Sequence, residues 1–251
     1  MQSIYSAKLG LKTQQQRLDV IASNIANVGT VGYKRQSALF RDALYTQMMD
    51  PSNVSSTENL KQGSGVILTS TNRSYMPGTP LHTGDELDLY IDGDGFFTVE
   101  GRGGNVMYTR AGSFKLSVEQ DGQYIVTPDG NYLLDSDGQR IRIPDVAGTV
   151  SVSETGEMTA GGAVLATLRL VTFTNKDGLS LSGSGCYTVT AASGDAVPSD
   201  AGIRQGYLES SNVDVSTEFT QMIRAQRAFS LAGRALATWN EMETVTNNLR
   251  T

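Results

Sequence analysis

Two of the side chains from which active sites are most often built occur once each in this 251-residue chain, His82 and Cys186. His82 lies between Leu81 and Thr83 in a stretch rich in turn residues, with no serine or cysteine nucleophile motif around it. General-base chemistry needs such a partner within hydrogen-bond reach, so His82 reads as an exposed loop histidine. Cys186, in Gly185-Cys-Tyr-Thr-Val189, reads as a small strand residue. One cysteine cannot close an intramolecular disulfide, and one histidine beside it cannot complete a Cys/His zinc cluster. Asp92-Gly-Asp-Gly95 opens like a calcium loop, but an EF-hand needs Asp or Asn at the fifth position, where Phe96 stands. Gly101-Arg-Gly-Gly104 has neither dinucleotide nor P-loop spacing and reads as a hairpin tip. The chain is therefore expected to hold no catalytic residue, no cofactor, no metal and no small-molecule substrate, and to be no enzyme.

The elements around these residues divide the chain by composition. Residues 1–50 carry six Lys/Arg against three Asp/Glu, residues 51–200 nine against eighteen, and residues 201–251 five of each. Twenty-one of the 27 glycines and all six prolines fall in the middle segment. Helix-compatible ends thus flank a centre written in turn chemistry. An acidic centre argues against a nucleic-acid partner, which calls for a basic patch. No apolar run reaches the ~18 residues of a membrane-spanning helix. The first residues also lack the basic start and apolar core of a signal peptide.

Ile4, Leu11, Leu18 and Ile25 recur every seven residues, with Ile21 between them. This places a narrow apolar stripe on a helix from Gln2 to Ala26. Near the other end Met222, Phe229 and Leu236 step by seven, with Ala225, Ala232 and Trp239 one ridge over. Phe219, Met242, Val245 and Leu249 extend that face, and Ser210-Ser211-Asn212 offers cap candidates. Between the ends, Asp-Gly pairs at 121–122, 129–130 and 137–138 mark the tight turns of a strand meander. Leu87–Ile91 and Phe96–Val99 flank Asp92–Gly95 as a further expected hairpin. Val164–Phe173 alternates, with Val164, Ala166, Leu168 and Leu170 on one face, and Gln47–Gln62 reads as an irregular loop. The fold class is α+β: N- and C-terminal helices pairing as a coiled coil, with a β-rich central domain of short hairpin-linked strands.

Three stretches resemble signatures of the flagellar basal-body rod and hook protein family. The first, Leu18 to Lys34, contains Asn24-Ile-Ala-Asn27 and Gly32-Tyr33. The second runs from Leu87 to Phe97 and includes Gly93, Gly95 and Phe96, followed by Tyr108-Thr-Arg-Ala-Gly-Ser-Phe114. The third, Gln205 to Asp214, includes Asn212 and leads into Met222-Ile-Arg-Ala-Gln226-Arg227-Ala-Phe229. Gly29 before Thr30, and Ala232-Gly233 before Arg234, depart from the family pattern. Gly63–Val66 and the loop before it are similar to the distal rod branch, with the proximal rod branch as the alternative.

The resemblance implies a subunit that polymerises with itself into a helical tube, a drive shaft carrying torque from motor to hook. Its partners would be copies of itself, other rod and hook proteins and the flagellar export apparatus. It would reside in the basal body, exported without a cleaved signal peptide. Residues 1–30 and 212–251 are expected as the axial helical domain, 31–86 as an irregular or extended connection, and 87–211 as a β-rich outer domain. The assembly interface is expected on Ile4, Leu11, Leu18, Ile21, Ile25, Phe219, Met222, Phe229, Leu236, Trp239 and Leu249. The rival class is a monomeric β-domain binding protein.

Overall fold

The computed structural model describes residues 2–47, 61–144 and 149–249, in two compact units. The first unit joins the two ends of the chain. Helix α1, Gln2–Ala26, has the bounds that its seven-residue periodicity predicts. Helix α2, Val215–Asn248, runs for 34 residues and packs along α1. Its start is capped by Asp214 rather than by residues 210–212: the carboxylate accepts the Ser216 N–H at 3.0 Å and the Thr217 hydroxyl at 2.5 Å. An Asp one residue before the first helical turn satisfies donors that a helix leaves open. Gly233, inside α2, has no neighbour within 4 Å of where a Cβ would stand, so no close crossing within the unit requires it.

The first unit also holds an antiparallel pair, Gln36–Asp42 with Val66–Arg73, in register from Gln36 opposite Arg73 to Asp42 opposite Val66. The connection expected at 31–86 therefore contains regular pairing. Opposite Leu39 and Phe40 the partner strand carries a bulge that leaves Thr69 unpaired between Leu68 and Ser70, which breaks the alternation of Val66–Arg73 and hides that strand from a period-two reading. Gly65, at φ 107°, brings this pair against α1: a Cβ there would meet Leu9 at 3.3 Å. Most of the expected loop at 47–62 lies outside the described residues.

The second unit, Asn27–Arg35 with Ser74–Asn212, is built on an eight-stranded antiparallel sheet. The Asp-Gly meander is present. Lys115–Glu119 turns into Gly122–Val126, which pairs with Tyr132–Leu133 and Arg142–Ile143. Gly122, Gly130 and Gly138 all have positive φ, the conformation that Asp-Gly turns supply cheaply. The hairpin expected across Asp92–Gly95 is absent. Leu89–Asp92 pairs instead with Gly202–Gln205, while Phe97–Glu100 pairs with Val106–Thr109 and Tyr132–Leu133. Residues 92–95 hand the chain from one sheet to another, because Phe96 pairs with Val171 before the second strand begins. The run Val164–Phe173 also splits, into Ala163–Thr167 and Val171–Thr172 in different sheets. Leu168 and Leu170 are buried, but Val164 faces out.

One apolar core lies beneath the main sheet, with Leu89, Phe97, Val99, Ile125, Leu133 and Met158 all at 2% exposure or less. Each such side chain contributes roughly 1.5–3 kcal/mol by leaving water. A second cluster gathers Phe96, Phe173 and Tyr187, with Tyr75 edge-on to Phe96 at 6.0 Å. No described helix is long and apolar enough to cross a membrane.

Candidate functional site

The helical unit fastens its helices with one polar network. Asn24 is buried on the last turn of α1. Its amide group donates to the Gln36 carbonyl at 2.8 Å and to Glu218 Oε2 at 3.2 Å, and its side-chain oxygen accepts the Gln36 N–H at 2.9 Å. A buried carboxylate on α2 and the first strand residue thus share one amide, which fixes how α1 ends. Asn27 continues the turn by accepting the Thr30 hydroxyl at 3.2 Å.

The stripe residues occupy unequal positions in this unit. Ile21 is buried, and Ile4, Leu11, Leu18 and Ile25 are half-buried. On α2, Glu218 and Ala225 are buried, and Met222, Leu236 and Trp239 are half-buried. Phe229 stands at the margin of that face. Phe219 and Leu249 lie off it, as do Met242 and Val245, all exposed. At about 100° per residue, Phe219 is turned well away from its inward neighbour Glu218. The expected single face on α2 is therefore two faces, one packed and one open. Gln226 and Arg227 are exposed on the same helix.

In the β unit, residues from all three signature stretches meet at one buried node. Lys34 donates to Glu209 Oε1 at 2.6 Å and to the Met76 carbonyl at 2.9 Å. Glu209 Oε1 also accepts the Gly78 N–H at 2.7 Å. Arg110 Nε lies 3.6 Å from Glu209 Oε2, an ion pair too long for a hydrogen bond. The Arg110 guanidinium donates twice to the Gly93 carbonyl at 2.9 Å and lies over the Phe96 ring. Burial pushes the Lys34 pKa down, against the upward pull of Glu209. Gly32, at φ 68°, lets the chain pass Arg110 and Ala111 where a Cβ would come within 2.8 Å of backbone.

Asn212 works beside this node. Its side chain accepts the Arg35 N–H at 2.7 Å and donates to the Ser74 and Met76 carbonyls at 2.8 and 2.9 Å. Tyr33, half-buried, accepts the Asn212 N–H at its carbonyl. Gly95 packs against Leu170 and Ser199. Asn24, Asn27, Gly32, Tyr33, Gly93, Gly95, Phe96 and Asn212 thus have positioning roles inside one unit or the other. Lys34, Arg110, Glu209 and Glu218 were not singled out in the sequence. The signal for the first three was their place inside the quoted signatures.

The residues with reactive side chains take ordinary places. His82 ends the short strand Pro80–His82, not a loop, with its ring edge-on to Tyr207 at 4.9 Å. Cys186 is buried in a strand, and burial raises its thiol pKa, away from a nucleophilic thiolate. Asp92 pairs with Arg204, and Asp94 with Lys176 at 2.8 Å, which holds the Asp94 carboxyl below the usual range. Among the described residues, no group of three His, Cys, Asp or Glu stands where it could hold a metal ion.

Comparisons with known proteins cover the same three regions. A family model described as "Flagella basal body rod protein" matches residues 4–34. One described as "Flagellar hook protein FlgE/F/G D1 domain" matches 90–160, and "Flagellar basal body rod FlgEFG protein C-terminal" matches 204–249. The "Flagellar basal-body rod protein FlgG" of Bacillus subtilis is 37% identical over 263 residues, 96% of each chain. That of Caulobacter vibrioides is 36% identical over 273 residues, 100% of each chain. The "Flagellar basal-body rod protein FlgF" of Caulobacter vibrioides is 31% identical over 224 residues, 89% of this chain and 87% of its own.

Proposed function

Because the chain belongs to the flagellar basal-body rod protein family, in its distal rod type, we propose that it works by burying its open helical face in an assembly of its own copies. It is a structural subunit of the bacterial flagellar rod. The observation that carries the assembly reading is the outer face of α2. Phe219, Ile223, Leu231, Met242 and Val245 are 49%, 51%, 62%, 55% and 58% exposed, a run of large apolar side chains along one helix. Such a surface is unfavourable in water and marks a contact with protein.

In this reading α1 and α2 pair as a coiled coil, and neighbouring copies close the rest. Ile4, Leu11, Leu18, Ile21 and Ile25 on α1 supply the seam, with Met222, Phe229, Leu236 and Trp239 on α2. Phe219 and Leu249 belong to the face shared between copies. Residues 1–30 and 212–251 form the axial part, and 87–211 the β-rich part. The partners are further copies, other rod and hook proteins, and the export apparatus during delivery to the basal body. There is no turnover: a stiff shaft conveys torque from motor to hook.

Ile223→Asp tests this reading. Its side chain is half exposed, so the purified monomer should keep its melting behaviour to within about 0.5 kcal/mol. Cells carrying it should assemble no distal rod and should not swim, because assembly would bury an unpaired charge. Normal swimming would remove the α2 face from the assembly.

A further inference from the structure

The Asp-Gly glycines of the meander do more than turn the chain. The Arg102 guanidinium lies over Gly130, 3.1 Å from where a Cβ would stand, and the Arg142 guanidinium lies across Gly122 in the space a Cβ would need. Beside them Arg140 stacks on the Tyr132 ring at 4.2 Å, and Tyr132 meets Tyr124 edge-on at 5.8 Å. Glu100 holds Arg140 at 2.7 Å, and Glu119, which lines the same surface, accepts the Tyr132 hydroxyl at 2.6 Å. Among the described residues Arg102 has no carboxylate partner. The result is a cleft of about 430 Å³ whose lining sets two arginines, Arg102 and Arg140, against one glutamate beside the Tyr132 ring, a net basic surface on a centre that is otherwise strongly acidic.

The reverse side of the ribbon formed by Lys115–Glu119 and Gly122–Val126 is mainly acidic. A groove of about 670 Å³ is lined by three carboxylates, Asp85, Glu86 and Asp88, against one ammonium, Lys115, with apolar walls from Phe114 and Leu116. Asp88 is buried and accepts the Thr83 hydroxyl at 2.6 Å, and Glu86 accepts the Val150 N–H at 3.0 Å. Asp85 is exposed. Ser117, Glu119 and Val126 line the basic cleft, whereas Leu116 and Gln123 line the acidic groove, which Lys115 joins from the start of its strand. Alternate residues of a strand point to opposite faces, so the two surfaces lie back to back on one ribbon.

We propose that the basic cleft of one copy docks on the acidic groove of the next. The inference rests on the self-assembly reading above and names the contact made by the β units. Two different, complementary patches on opposite faces cannot satisfy each other in a closed two-fold pair. They propagate head to tail, the relation a helical polymer requires. Opposite charge sets the register and rejects a reversed neighbour, in which like charges would face each other.

Paired charge reversals in cells test the contact. Arg102→Glu and Asp85→Lys should each lower the yield of complete rods by about tenfold, from like-charge opposition across the contact. The combined Arg102→Glu, Asp85→Lys chain should regain most of that loss. Independently, Arg102→Cys with Asp85→Cys in one chain should give a ladder of disulfide-linked multimers when isolated rods are treated with a mild oxidant, since the natural Cys186 is buried. Silent single reversals without a ladder would overturn the proposal. So would a loss on the arginine side alone, which would mean that the cleft serves an anionic partner other than this chain. Loss in both single variants without recovery in the combined one would overturn it too, whereas a ladder would support it even where a reversal failed to fold. If Ile223→Asp blocks rods while these reversals do not, this contact fails and the assembly reading stands.

Discussion

Lys34 Nζ stands 2.6 Å from Glu209 Oε1, with both side chains 1% exposed, although 175 residues separate them in the chain. Arg110 makes the node two cations around one anion. Removing the anion is therefore worse than removing one cation. Glu209→Gln should cost about 3–5 kcal/mol, because it leaves two buried positive charges without a counter-ion. Lys34→Met should cost clearly less, since Glu209 keeps Arg110 and the Gly78 N–H. Urea unfolding of the two variants gives the order, and equal or inverted losses would contradict the node as drawn.

The same pair sets a pH dependence. Burial lowers the Lys34 pKa in the folded chain more than Glu209 restores it. Between that lowered value and the ordinary lysine value, the unfolded chain binds more protons than the folded one, so stability rises with pH across the window. Below the window the charged ammonium bears its full desolvation cost. The difference in unfolding free energy between the natural chain and Lys34→Met should therefore grow in favour of the natural chain as the pH rises toward the ordinary lysine value of about 10.4. A difference that shrinks over that range would mean that pairing outweighs burial at this site.

Local patterns were legible in the sequence, and long-range pairings were not. The seven-residue recurrence from Ile4 to Ile25 gave the bounds of α1 because a helix repeats its environment every turn or two. Asp-Gly gave the meander because the turn chemistry sits in the dipeptide itself. The same logic failed at Asp92–Gly95, where two glycines and two aspartates serve a crossing between sheets. At Phe219, exposed on α2, the stripe pattern does not tell which of its apolar residues pack against α1. Lys34, Arg110 and Glu209 could be read as signature residues, but nothing local says that they touch. Asn212 looked like a helix cap, yet its side chain fastens Arg35, Ser74 and Met76, all remote in sequence.

The Asp-Gly turns separate backbone from carboxylate. At the last of them Asp135, not Asp137, accepts hydrogen bonds, from the Asp137 N–H at 2.9 Å and the Gln139 N–H at 2.8 Å. Asp137→Asn should thus be nearly silent, whereas Asp135→Ala should cost about 1 kcal/mol. Gly138→Val should cost about 1–3 kcal/mol from its φ of 76° alone, since no neighbour crowds the site. Gly122→Val should cost more, because it also displaces Arg142. Thermal unfolding with calcium and with chelator checks both series. A calcium-dependent rise in melting temperature that Asp121→Asn or Asp137→Asn abolishes would overturn the turn reading.

At the far end of α2 the packing within the helical unit stops. The Trp239 side chain is half-buried, while the side chains described from Asn240 to Asn248 are all exposed. Helical hydrogen bonds there are supported only locally, and a nine-residue stretch at a helix end is marginal without packing. Hydrogen exchange on the purified monomer should be fast at residues 240–248, slower around Glu218 and Ala225, and slowest at Phe97, Val99 and Leu133 in the sheet core. In isolated rods the 240–248 amides should slow by at least about tenfold, as the open face of Met242 and Val245 becomes covered. Equal exchange at 240–248 in monomer and rod would show that assembly does not use this end of the helix.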